Sequence, residues 1–357
     1  MTVTSIDLAD LLDTAGLTGR GGAAFGTGTK LRSARSSGAA VIVNACDGEP
    51  GALKDQWVVG RHLDELVTGA GLLAEGRSIR YAAHRGSRTL DRLRSHALDT
   101  LEVPDRYVSS EESSLVSLAA GGLARPLTKR GPISLGGRDS AGRPIQPTLV
   151  VNAETTWRVA QVVEQGPAWF RSLGTPDEPG PRLVTVHGHT PQPGVLETAA
   201  GVPLRDLVAA AGGSPYSPVL VGGLAGTFLT PADVDEVRWE TRSLAPFGGR
   251  TGSGVIEVLD PRACPLQLVL TRVRDAAEQS AGQCGPCMFG LPALAEDLAV
   301  VIDSPTLVHL ERLHARLGML PGRGACHFPD GVVGMTRSAL RAFGDHLVVH
   351  SAGRCWS

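Results

Sequence analysis

Along the first half of the chain, short continuous apolar runs alternate with stretches whose apolar positions recur every three to four residues. Ala40-Val-Ile-Val-Asn44 is one such run, and it ends in a polar loop from Ala45 to Asp55. A helical pattern over about 61–75 follows, carried by Leu63, Leu66, Val67, Leu72 and Leu73. The same reading places strands at about 79–83 and near 106–108, and helices at about 88–100 and 111–119. Thr148-Leu-Val-Val-Asn152 reads as a further strand, with a helix near 155–165 behind it. Such alternation predicts an α/β unit on a parallel, doubly wound, Rossmann-like sheet. Ligands of these sheets sit beyond the carboxyl ends of the strands, where Asn44, Asp47, Glu49, Asn152 and Glu154 fall.

A Pro/Gly/Asp break at about 175–181 changes the texture. Arg182-Leu-Val-Thr-Val-His-Gly188 reads as a strand, Pro191 to Gly194 as a turn, and Val195 to Thr198 as its hairpin partner. A helix over Leu204 to Ala211 and the run Val219-Leu-Val-Gly-Gly223 complete a small α+β module of the β-grasp kind. From about 264 onward the pattern is helical, with candidates at about 265–280, 289–302, 305–317 and 336–348. The expected units are therefore 1–178, 179–262 and 263–357.

Charge narrows the possibilities. With 34 basic and 36 acidic residues in 357, no polycation is available for nucleic acid. The apolar runs, such as Val219 to Leu229, are interrupted by glycine well short of the roughly 20 residues a membrane helix needs. The N-terminus lacks the basic and apolar regions of a secretion signal, so a soluble, cytoplasmic protein is expected. Only three basic residues are lysines: Lys30, Lys54 and Lys129. All lie in Gly-, Pro- or Asp-rich loop segments, where a compact ammonium suits a site that a guanidinium fork does not.

Four segments have a composition suited to chemistry. Gly19-Arg-Gly-Gly-Ala-Ala-Phe-Gly-Thr-Gly-Thr-Lys30 frees backbone N–H groups to approach an anion and supplies a cation nearby. It matches neither a Walker A loop nor a dinucleotide fingerprint, and a merely flexible loop fits it equally. Asn44-Ala-Cys-Asp-Gly-Glu-Pro-Gly51 and Ser109-Ser-Glu-Glu-Ser113 bring acids to strand-end loops, although acids in a first helical turn also serve the macrodipole. Gly282-Gln-Cys-Gly-Pro-Cys287, with Cys326 further on, admits an iron–sulfur or zinc site, a thioredoxin-like dithiol, or an unreactive pair.

Taken in order, these motifs resemble the NADH-oxidising flavoprotein subunit of respiratory complex I and its relatives in NAD-reducing hydrogenases and formate dehydrogenases. The resemblance rests on Gly16-Leu-Thr-Gly-Arg-Gly-Gly-Ala-Ala-Phe25, Val43-Asn-Ala-Cys-Asp-Gly-Glu-Pro-Gly51, Tyr107-Val-Ser-Ser-Glu-Glu112, Val151-Asn-Ala-Glu-Thr155 and Gly282-Gln-Cys-Gly-Pro-Cys287. It implies a Rossmann-like FMN domain, an SLBB-like β-grasp module and a helical bundle that carries a 4Fe–4S cluster. By motif position, Gly19, Arg20, Gly21, Gly22, Lys30, Asn44, Asp47 and Asn152 would hold FMN. Glu49, Glu111 and Glu112 would stand at the nicotinamide, with Phe25 and Lys129 also in the dinucleotide site. Cys284, Cys287 and Cys326 would hold the cluster, the first family cysteine being Ala281 here. His327 and Cys46 are the candidate replacements for it. Ser110 replaces a family glycine, and Ser33 and Pro132 stand where the family stacks an adenine. The implied partners are NADH and a ferredoxin-like or membrane redox subunit, with the chain peripheral to any membrane complex. A degenerate electron-transfer or assembly subunit of the same fold is the alternative.

Overall fold

Val41, Val43, Leu149 and Val151 pack into one buried cluster, Ile42 and Val150 into another on the opposite side of the same strands. A strand covered on both faces has no polar side to show, so these runs read as continuously apolar. The computed structural model describes residues 7–128, 131–139, 142–353 and 355. Lys129 lies outside the described residues.

The strands of the first unit are β1 (Ala40–Asn44), β2 (Ile79–His84), β3 (Thr100–Val103), a two-residue hairpin β4 (Gly137–Arg138) and β5 (Pro144–Ile145), and β6 (Thr148–Asn152). The main sheet has the order β3-β2-β1-β6 and is parallel throughout. Its helices are α1 (Leu8–Ala15), α2 (Thr27–Ser37), α3 (Lys54–Arg61), α4 (Leu63–Ala74), α5 (Arg88–Ser95), α6 (Glu112–Ala119) and α7 (Ala153–Arg171). The larger cluster holds residues from all of these except α6, whose Leu115 and Val116 cover the other face.

The third strand corrects the sequence reading. It lies at 100–103 and is followed by Pro104, while 107–110 is a 3-10 turn. The preceding helix stops at Ser95, and Ala97 just beyond takes a left-handed φ of 54°. Helix α2 escapes notice because only Leu31 and Ala34 give it an apolar face, beside Thr27 and Gly28. Helix α3 occupies part of the expected polar loop.

The middle unit comprises β7 (Pro181–Gly188), β8 (Gly194–Ala199), α8 (Leu204–Ala210), β9 (Val219–Val221), β10 (Thr227–Leu229), α9 (Pro231–Glu236), α10 (Thr241–Leu244) and β11 (Val255–Val258). Its sheet runs β10-β9-β11-β7-β8, with β11 and β7 parallel and the other pairs antiparallel. Leu204, Leu207 and Val208 of α8 share its core with Trp239. The last unit is helical: α11 (Pro265–Gln279), a π turn at Pro286–Gly290, α12 (Leu291–Asp303), α13 (Leu307–Met319), α14 (Phe328–Phe343) and α15 (His346–Ser351). The single helix expected at 336–348 is thus two, separated at Gly344-Asp345. Among the described residues no helix is long and apolar enough to cross a membrane.

Candidate functional site

In the main sheet the chain leaves β1 towards β2 on one side and returns as β6 on the other, so the switch point falls between β1 and β6. Asn44 and Asn152 are register partners at the carboxyl ends of these two strands. Asn152 caps α7 by accepting from the Glu154 N–H at 3.1 Å. It also accepts from Lys54 Nζ at 2.8 Å and donates to both Asp55 oxygens at 3.0 Å. Lys54 is buried and bonds Asp55 at 2.9 Å, with Glu154 at 3.5 Å. Burial opposes its charge, but Asp55, Glu154 and Asp47 outweigh it and raise its pKa. Asp47, at φ 43°, accepts from the N–H groups of Asp55 (2.9 Å) and Gln56 (2.7 Å) at the start of α3. Burial and the Asp55 charge push its carboxyl up against those bonds.

Above this floor, Gly21 and Gly22 form the tip of a loop closed at its base by Gly19 N–H to Phe25 O at 2.9 Å. A Cβ on Gly21 would stand 3.4 Å from Asn152 Cβ, and one on Gly22, at φ 103°, would stand 3.5 Å from Ser253 N. Bare backbone therefore faces the cleft where two units meet. The cleft encloses about 1100 Å³ and is walled by Gly21, Asn44, Asp47, Glu49 and Lys54 from the first unit. Arg250 and Ser253 line it from the middle unit, Cys326 and Phe328 from the helical one.

Glu49 stands where the three units converge. It accepts from the Tyr107 hydroxyl at 2.6 Å and from Leu224 N–H at 3.0 Å. Burial raises its pKa to about 7, against both hydrogen bonds. The Tyr107 ring lies 4.7 Å from that of Phe328, and Cys326 is close enough to help push the phenol pKa up, after burial and Glu49.

Several expected site residues lie elsewhere. The Arg20 guanidinium is buried under the loop, donating to Pro179 O at 2.9 Å and Pro181 O at 3.4 Å, so it fastens the loop base to the start of β7. Gly19 stays at that base, and Phe25 is exposed outside the cleft lining. Lys30 donates to Glu112 and to Val150 O, both at 2.7 Å, and neither Lys30 nor Glu112 lines the cleft. Glu111 lines it but also caps α6, accepting from Ser113 N–H at 2.8 Å and Ser114 N–H at 3.2 Å. Ser33 meets Ser134 at 2.7 Å. Tyr107 and Arg250 are contributors that sequence reasoning left without a role, and Lys54 was singled out as a lysine but given none. Lys54 carried a signal, as one of only three lysines, and Arg250 carried none.

Cys284, just before the π turn, is within hydrogen-bond reach of Cys287 on it, and Cys326 approaches from the loop before α14. Burial, then Cys284, then Cys326 push the Cys287 thiol up to about 12. Three thiols brought together in this way form a donor set that a metal centre satisfies. Ala281 is buried in the helical core at the fourth position. Neither suggested replacement turns there. The His327 ring is fully exposed and tied to Asp330 at 3.2 Å, while Cys46 packs with Leu101, Val103 and Leu115.

A parallel half-sheet with bare backbone over its switch point, opening onto a cysteine-bearing helical unit, defines a redox subunit of the flavin and iron–sulfur class. The family model described as "Nuo51 FMN-binding domain" matches residues 12–161, and that for the "NADH-ubiquinone oxidoreductase-F iron-sulfur binding region" matches 267–350. The chain is 27% identical to the second F subunit of NADH-quinone oxidoreductase in Rhizobium meliloti, covering 97% of this chain and 89% of that protein. It is 30% identical to NAD-reducing hydrogenase HoxS subunit alpha of Cupriavidus necator over 77% of this chain, but spans only 48% of that protein. A crystal structure of an NAD+-reducing [NiFe]-hydrogenase in the H2-reduced state superposes with a TM-score of 0.84 at 30% identity, over 96% of this chain and 62% of that one. The chain belongs to the family of NADH-oxidising, FMN- and iron–sulfur-dependent flavoprotein subunits.

Proposed function

We propose that the chain oxidises NADH in the cleft between its three units and passes electrons through its helical unit to a partner redox protein. We further read 1–178 as the FMN and NADH unit, 179–262 as an SLBB-like β-grasp module and 263–357 as the cluster-bearing bundle. The observation that carries the reading is one continuous cleft walled by the Gly21 loop tip, Glu49 and Cys326.

FMN, when bound, supplies the chemistry of accepting two electrons as a hydride and releasing them singly. The residues suited to hold it are Gly21, Gly22, Asn44, Asp47 and Asn152, whose backbone and amide groups surround the switch point. Arg20 and Lys30 act one layer back, the first anchoring the loop and the second holding Glu112. Arg250 lines the cleft, and the phosphate is assigned to it in place of Lys30; Lys54, neutralised by Asp55 and Glu154, holds Asn152 in position. Glu49 is suited to orient the nicotinamide amide, since Tyr107 and the Leu224 N–H fix its carboxylate. Cys284, Cys287 and Cys326 are suited to hold the cluster. Met288 and Phe289, exposed beside these cysteines, give a redox partner an apolar surface to dock on.

Anaerobically purified protein is expected to be yellow, to release FMN on denaturation and to bleach with NADH. Glu49→Gln should slow bleaching while retaining the flavin. A protein that cannot be reconstituted with FMN overturns the reading. One that holds FMN but is not bleached by NADH supports the degenerate-subunit alternative.

A further inference from the structure

Two cysteines outside the cluster motif converge with two histidines at the far end of the helical unit. Cys264 stands just before Pro265, at the N-cap of α11, and is buried. His346 and His350 are one turn apart on α15 and so share a face. Cys355 follows α15. Cys264 Sγ lies 3.1 Å from His350 Nε2, and His346 Nε2 lies 3.4 Å from Cys355 Sγ. The ligand atoms of all four residues lie within 4.8 Å of one another. We propose that Cys264, His346, His350 and Cys355 form a structural zinc site that clips α15 and the segment after it to the start of α11.

The chemistry fits zinc. Two thiolates and two imidazoles form a borderline-soft donor set that favours tetrahedral Zn²⁺, and four protein ligands leave no open position for catalysis. Bond lengths of about 2.3 Å to sulfur and 2.0–2.1 Å to nitrogen give a tetrahedron with edges of about 3.3–3.8 Å. The two thiol–imidazole separations are within a few tenths of an ångström of that range. Binding releases the two thiol protons to solvent and involves no redox change.

The fold gives such a clip a purpose. Helix α15 has six residues and no fully buried side chain, and only a half-buried Leu347 packs it against the helical core. Its attachment point, Cys264, lies just after β11, where the chain passes from the middle unit into the bundle. A metal bond here fixes α15 and that junction together. This site is separate from the cluster, because Cys264 precedes the fifteen-residue α11 and Cys284 follows it. A helix of that length spans about 22 Å.

The test is metal analysis of the full chain, expressed without a metal-affinity tag and purified anaerobically. About one zinc per chain is expected, in addition to the iron. Cys355→Ser and His346→Asn should lose zinc, with the apparent Kd in chelator competition rising ~100-fold or more, and should keep their iron. Cys284→Ser should lose iron and keep zinc. His350→Cys, which preserves a ligand, should retain zinc and so separates ligand loss from misfolding. Cobalt loaded in place of zinc should give the intense visible bands of a tetrahedral thiolate site. Zinc that persists in both Cys355→Ser and His346→Asn, or that leaves with Cys284→Ser, overturns the proposal. So does a weak octahedral cobalt spectrum, or a Cys264–Cys355 disulfide found by mass analysis in the anaerobic protein.

Discussion

Glu49 shows how much the surroundings set the behaviour of one carboxyl. An unfolded chain leaves it near 4.5, whereas burial in the cleft raises it to about 7. Between those values the folded protein binds a proton that the unfolded chain has released, so its contribution to stability shrinks as pH rises. Urea midpoints of the flavin-free chain at about pH 5 and pH 7.5 should therefore fall less for Glu49→Gln than for the wild type. Equal falls would mean that the carboxyl ionises freely in the fold. A second pair of residues is coupled by space. A Cβ on Gly48 would meet Ser110 Oγ at 2.2 Å and Ser110 Cβ at 3.3 Å. The Ser110 hydroxyl donates to Tyr107 O at 3.0 Å, which holds it in that position. Gly48→Ser should cost about 1–3 kcal/mol, and adding Ser110→Gly should recover part of it. Denaturant unfolding of the two single variants and the double variant measures the coupling, and simple additivity would refute it.

At the scale of elements, the segment between α11 and α12 carries two of the cysteines proposed to hold the cluster. Its backbone passes through a π turn at Pro286–Gly290, and such turns recur at functional sites because they re-aim side chains. Ala281 brings only a methyl to this segment and is 5% exposed. Ala281→Cys adds one sulfur one residue after Ser280, whose side chain hydrogen-bonds the Cys287 thiol. Iron and sulfide per chain should rise, and electron paramagnetic resonance should shift towards a fully ligated 4Fe–4S signal. Unchanged iron would show that the new thiol points into the helical core. Helix α2 makes a different point. Its Ser33 meets Ser134 across to the 133–135 turn, so an aromatic ring at 33 must first displace that contact before it can stack on anything.

At the scale of the whole molecule, the first two units are joined at the floor of the cleft. Glu154 accepts from Leu183 N–H of β7 at 2.7 Å while its other oxygen faces Lys54, so one carboxylate links the first and middle units. Lys54 is almost fully buried among Asp55, Glu154 and Asn152. Lys54→Met leaves two buried carboxylates without their cation and should cost about 3–5 kcal/mol. Lys30→Met removes a pair with Glu112 that keeps more than a quarter of its surface in water, and should cost about 1 kcal/mol. Thermal or urea unfolding of the two variants separates them, and equal losses would contradict the difference in burial.

Local sequence is enough to dictate that a parallel sheet exists, where most of its strands lie and which loops carry glycines and acids. Those features are short-range: β-branched runs, turn residues and periodicity act within a few residues of chain. The cysteine spacing likewise marked Cys284 and Cys287 as a pair. Direction and company, by contrast, came from folding. Lys30 and Lys54 both sit in loop-like sequence, yet folding places one on Glu112 and the other under the cleft. Arg20, next to the loop tip, turns away because the carbonyls of Pro179 and Pro181 lie beneath it. Cys264 and Cys355 have no motif to connect them, since their segments come together only when the bundle packs. Sequence pattern records which side of an element avoids water, but which residues meet from distant segments is set by packing between elements.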